Sequence, residues 1–167
     1  MLIPVFVSCP TALNARQERS RQMILAELKH LQLEPRALGR TDYPTELPLR
    51  EVYVIAKHCS GGVILGFEQS YAAKAVEKRG VRGKAKPQKD VIMPTPWNHL
   101  EAGILFGMNL PLLVFKEKGI SGGVFDVGVT DNFVHPMPTP KLDASERTAL
   151  TEVFLKWQFK VRDLYYK

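Results

Sequence analysis

Glu101 sits in a run, Thr95-Pro96-Trp97-Asn98-His99-Leu100-Glu101-Ala102-Gly103, whose spacing sets a carboxylate beside an indole. On a helix, Trp97, Glu101, Leu105 and Met108 fall at i, i+4, i+8 and i+11 and share one side. A carboxylate on an otherwise apolar stripe costs free energy unless the fold pairs it or uses it. Burial also raises a carboxyl pKa, the condition that a catalytic acid or nucleophile often needs. Two readings stand at this point. Glu101 pairs with a nearby Lys or caps a neighbouring helix, or it does chemistry.

The other chemically capable residues form weaker patterns. Cys9 follows a strand-like run, but no His is clearly placed beside it, so a small packed thiol is preferred to a nucleophile. His30, His58, His99 and His135 lack HExxH-like spacing, and Cys9 and Cys59 make neither a metal-ligand pair nor a disulfide framework. No metal and no cofactor is expected. The glycines do not compose G-x-G-x-x-G or a Walker loop, and G-x-S-x-G is absent.

The elements that must position Glu101 are readable from periodicity. Ile3 to Val7 is a short apolar strand, and Asn14 with Gln17 makes a capping box opening a helix with Ile24, Leu28 and Leu31 inward. Arg36 to Gly39 reads as a weak second strand. Leu49 to Cys59 reads as a helix stopped by Gly61-Gly62, and Val63 to Phe67 as a buried strand. The Trp97–Met108 helix precedes a Pro-led apolar strand from Leu110 to Phe115. Phe133 to Met137 reads as an edge strand. Asp143 and Glu146 cap a last helix, 143–165, with Leu150, Phe154, Trp157, Val161 and Leu164 as its stripe.

Continuous apolar strands alternating with amphipathic helices imply a parallel sheet covered on both faces. The expected fold is a three-layer α/β sandwich, a flavodoxin-like, mostly parallel sheet of four to five strands in a single domain over 1–167. Ligands bind such sheets at the carboxyl ends of the strands. That rule gathers Ser8, Cys9 and Pro10 with Gly66, Phe67 and Glu68, and with Lys116, Glu117 and Lys118. The helix start at Trp97 and Asn98 joins them, its N–H groups favouring an anion.

At 167 residues, 45% hydrophobic and 24% charged, the chain has the composition of a globular domain. No apolar run is long enough to cross a bilayer, and the start reads as a strand, not a signal peptide; a reduced, cytoplasmic protein is expected. The net charge of +6 favours anionic partners. Much of it lies in a basic segment, 70–95, where Lys74, Lys78, Arg79, Arg82, Lys84, Lys86 and Lys89 are interrupted by Gly80, Gly83 and Pro87. It reads as a mobile loop, either simply solvated or closing over a phosphorylated ligand. Nucleic acid is set aside as a partner, because the segment offers only Tyr71 for stacking.

Three stretches carry a family resemblance. Val7-Ser8-Cys9-Pro10, the strand Gly61-Gly62-Val63-Ile64-Leu65-Gly66, and Pro96 to Gly103 followed by Gly107-Met108-Asn109-Leu110-Pro111-Leu112-Leu113-Val114 resemble the TIR-like and nucleoside 2-deoxyribosyltransferase-like superfamily over roughly residues 3–126. The resemblance implies a nucleotide or nucleoside ligand and N-glycosidic bond cleavage, with Glu101 as the catalytic glutamate, Trp97 holding the base and NAD⁺ as a substrate. It also implies self-assembly, since TIR-type enzymes often act as oligomers in defence or signalling. Deoxyribosyltransferases usually carry an Asp after the third strand, where this chain has Gly66-Phe67-Glu68. Base exchange is accordingly the weaker expectation, beside NAD⁺ hydrolysis and a non-catalytic nucleotide-binding signalling module.

Overall fold

Short runs of Val, Ile, Leu and Phe with no polar alternation bury both faces of a strand, and these runs build the central sheet. The computed structural model describes residues 2–39 and 47–167. β1 (Ile3–Ser8), β2 (Leu33–Arg36), β3 (Gly62–Gly66), β6 (Leu112–Lys116) and β7 (Val134–Pro136) pair in parallel in the order β2-β1-β3-β6-β7. That is the flavodoxin-like order, with its switch point between β1 and β3.

Helices cover both faces. α1 (Ala15–His30) and α4 (Ala144–Tyr165) bury Ile24, Leu28, Phe154, Trp157 and Val161 against Val5, Val7, Val63 and Leu65. α2 (Pro48–Lys57) and α3 (Pro96–Gly107) bury Val52, Ile55, Ala102 and Leu105 against Phe6, Ile64 and Val114. Each Val, Leu, Ile or Phe among them contributes roughly 1.5–3 kcal/mol when fully buried. Both expected capping boxes form, at Asn14 with Gln17 and at Asp143 with Glu146.

Gly61 and Gly62, read in the sequence as a helix stop, also set how closely the layers approach. A Cβ on Gly61 would lie 2.6 Å from Val161 Cγ2, and one on Gly62 would lie 2.7 Å from Leu105 Cδ1. The pair therefore admits α4 on one face of the sheet and α3 on the other.

Two expectations need correction. The second strand runs from Leu33 to Arg36, earlier than Arg36 to Gly39. Gln32, at φ 60°, turns the chain straight out of α1, and an edge strand tolerates Pro35. The basic segment is not a loop but an antiparallel hairpin of β4 (Ser70–Glu77) and β5 (Lys86–Met93), paired from Ser70 with Met93 to Glu77 with Lys86. Gly80 (φ 80°) and Gly83 (φ 69°) shape its turn, so glycines read as flexibility serve a defined bend. Among the described residues, no helix is long and apolar enough to cross a membrane.

Candidate functional site

α3 begins at the carboxyl end of the sheet, where Thr95 caps it and Pro96 fixes its first turn. Its inward residues are Asn98, Glu101, Ala102 and Leu105. Leu105 seats the helix over Gly62, which holds Glu101 level with the exit of β1. Trp97, expected on the inner stripe, is 40% exposed instead, because Asn98 takes the inward place. Asn98 Nδ2 donates to Ser8 Oγ at 2.7 Å and to the Ser8 carbonyl at 3.5 Å, and both residues are fully buried. A polar pair thus occupies a position that apolar periodicity assigns to core.

The Ser8 hydroxyl lies near the Glu101 carboxyl and favours its ionised form. A hydroxyl has one proton. With Asn98 donating to its oxygen, the Ser8 proton is left for an acceptor on the Glu101 side. Burial pushes the Glu101 carboxyl up to about 7, and the Ser8 bond pulls it back toward the ionised form. Glu101 is only 8% exposed, yet it lines a cavity of about 310 Å³. Cys9, Pro10 and Thr11 after β1, Leu38 and Gly39 after β2, Gln69 after β3, and Thr95 and Trp97 form the walls with Pro48. The cavity therefore opens at the switch point between β1 and β3, and its volume is at the lower end for small-molecule sites.

Of the residues gathered from the sequence, Cys9, Pro10, Trp97 and Glu101 meet in this cavity, with Ser8 and Asn98 behind its wall. Gly66, Phe67 and Glu68 do not join them. The space beside Gly66 is filled by the Phe125 ring, Phe67 is buried in the core under α1 and α4, and Glu68 lines a second cavity of about 740 Å³. In that second cavity the Glu117 carboxylate accepts from Glu68 N at 2.7 Å, Gln17 Nε2 at 3.0 Å and Arg16 Nη2 at 3.1 Å. Glu117 staples β3, β6 and α1 together, so its acidity is already committed. Lys116 Nζ donates to the Phe125 carbonyl at 3.0 Å, also within the fold.

The helix start is not the anion site that the sequence suggested. Pro96 has no N–H, Trp97 N donates to Thr95 Oγ1 at 3.3 Å, and Asn98 N donates to the Thr95 carbonyl at 3.1 Å. Sequence reasoning missed Gln69 and Thr11, which ordinary loop positions did not mark. Neither cysteine is in a disulfide. Among the described residues no group of three His, Cys, Asp or Glu is placed to hold a metal ion. No protein-family model, curated protein or solved structure matches the chain.

Proposed function

We propose that the protein binds a nucleotide at the Glu101 cavity and cleaves its base–ribose bond, with NAD⁺ as the substrate that best suits the site. The observation carrying this reading is the carboxyl of Glu101: nearly buried, facing a cavity at the sheet's switch point, oriented by Ser8 and flanked by Trp97. Cleavage breaks the C1′–N bond, and its electron pair leaves on the nicotinamide nitrogen, cancelling the pyridinium charge. The ribose is left oxocarbenium-like, and a carboxylate beside C1′ stabilises that charge until water adds and releases a proton. A cationic ligand ring would also favour the ionised form of a carboxyl poised near neutrality. No Lys or Arg is among the described residues lining the cavity, which suits the nucleoside end of the ligand more than its phosphates. Trp97, with its indole partly exposed at the rim, offers a stacking face for the base.

The test is to incubate concentrated protein with NAD⁺ and with a panel of nucleotides and nucleosides and to assay free base by chromatography. Release of nicotinamide that disappears in Glu101→Gln supports the reading. Saturable binding without release assigns the cavity to a sensor, and release undiminished in Glu101→Gln removes Glu101 from the chemistry.

A further inference from the structure

The β4–β5 hairpin adds little to the core of the domain. Its strands are largely exposed on both sides, and a two-stranded ribbon of that kind is marginally stable alone. Only its root is fastened. Ile92 bridges to Ile120, and Gln69 Nε2 donates to the Ala12 carbonyl at 3.3 Å. Gln69 N donates to the Met93 carbonyl at 2.9 Å and the Tyr71 hydroxyl bonds Asp90, which ties the two strands to each other. Beyond the root, the ribbon concentrates charge. Five Lys and two Arg stand against Glu77 and Asp90, so Ser70 to Met93 carries +5 of the chain's formal +6. Asp90 is engaged by Tyr71, and Glu77 accepts from Gln88 at 2.9 Å. Among the described residues, none of the seven cations is in an ion pair.

The arrangement works against the hairpin's own stability. Lys74 pairs directly with Lys89, and like charges opposite one another weaken a ladder. The turn adds Lys78, Arg79, Arg82 and Lys84 with no acidic residue between them. A polyanion would turn this repulsion into attraction.

We propose that the β4–β5 ribbon is an arm that grips double-stranded DNA through its phosphates, without reading sequence. A two-stranded ribbon is of a size to enter the major groove of B-form DNA, whereas the major groove of an RNA duplex is too narrow. Cations on both strands and the tip then face phosphates on either wall of the groove. The tip's apolar content is Val81 and Ala85, little to insert into a lipid surface. The scarcity of aromatics matters for single strands, which bind by stacking, and not for a duplex backbone. Gln88 is the one side-chain amide on the ribbon, so adenine edges have a single candidate reader, and the seven cations are assigned to phosphates.

Fluorescence anisotropy of a labelled short duplex of arbitrary sequence, with the full chain, tests this. Affinity should fall roughly a hundredfold between about 50 and 200 mM salt, the dependence for about four phosphates neutralised. Replacing Lys78, Arg79, Arg82 and Lys84 together with Ala should remove most of that salt dependence and weaken binding at least about tenfold at the lower salt. Arg79→Lys with Arg82→Lys keeps the charge and should bind nearly as the parent does. Circular dichroism checks that each variant keeps its fold. Absence of duplex binding at low salt, or binding unchanged in the fourfold Ala variant, overturns the proposal. Binding to phosphatidylserine-rich vesicles without binding to DNA overturns it in favour of a membrane arm.

Discussion

Asn98 and Ser8 lie ninety positions apart and meet at 2.7 Å, Nδ2 to Oγ, in a fully buried contact. This bond occupies a lone pair of the Ser8 oxygen and leaves its proton for another acceptor. Among the described residues Asn98 Oδ1 has no hydrogen-bond partner, and the amide is held by what its Nδ2 donates to: the Ser8 hydroxyl and carbonyl. A buried acceptor left without a partner costs about 1–3 kcal/mol. Asn98 thus anchors the Ser8 hydroxyl beside the Glu101 cavity.

Ser8→Ala should therefore move the ionisation of Glu101. The hydroxyl favours the charged form, so its loss raises the carboxyl above about 7. The acidic limb of the pH profile for base release should shift upward by about one pH unit or more, since hydrogen bonds to charged groups are worth roughly 1.5–3 kcal/mol. Activity lost at neutral pH should return near pH 9. A limb that stays in place would separate Ser8 from Glu101.

Glu101→Gln should stabilise the folded protein in alkaline but not in acidic solution. The folded carboxyl titrates at about 7 against an ordinary value of 4.5, so the folded state holds its proton more tightly than the unfolded chain. This group's contribution to stability is then fully present below pH 4.5 and is lost as pH rises through about 7. The gap corresponds to about 3 kcal/mol. A neutral Gln escapes that loss, so the variant's melting temperature should exceed the parent's by roughly 6–12 °C at pH 8 and match it at pH 4. Thermal melts at the two pH values check the sign.

Trp97 should matter to the ligand and little to the fold. Its ring is partly exposed, so Trp97→Ala should change stability by about 0.5 kcal/mol or less. Loss of a stacking face should weaken nucleotide binding roughly ten- to hundredfold, while Trp97→Phe retains most of it. Calorimetric titration beside a urea melt reads both quantities.

Glu117 should show the opposite pattern. Three donors converge on its carboxylate, and Glu117→Ala strands them at the carboxyl edge of the sheet. A loss of about 1–3 kcal/mol in a urea melt is expected, with the pH limb of Glu101 unmoved.

Local signals in the sequence were read well where one residue type has one mechanical use. Asn14 with Gln17 and Asp143 with Glu146 cap helices by contacts three residues apart, and unbroken apolar runs mark β1, β3 and β6. The hairpin escaped because both of its sides face solvent, which leaves no alternation to detect, and because Gly80 and Gly83 serve turns and loops alike. The position of Glu101 at a cavity was legible, and its surroundings were not. Ranking Trp97 as inward assumed that hydrophobicity decides the helix face, whereas a buried polar contact between Asn98 and Ser8 does so, and no local pattern encodes a contact over ninety residues. Gly66, Phe67 and Glu68 were grouped by strand order alone, and the Phe125 ring and the Glu117 staple turn that stretch elsewhere.

The clasp of α4 on the sheet bears on the order in which the molecule assembles. Trp157 Nε1 reaches the Pro111 carbonyl at 2.9 Å, Gln158 reaches the Leu31 carbonyl at 2.7 Å, and Val161 rests on Gly61. α1 covers part of the face made by Val5, Val7, Val63 and Leu65, and α4 completes the cover across a long separation along the chain. Loop closure of that span must precede the reward of packing, which slows the concluding step and leaves part of an apolar sheet face uncovered in the interim. A chain halted before Ala144 would leave the α4 side of that face open to chaperones or to its own copies.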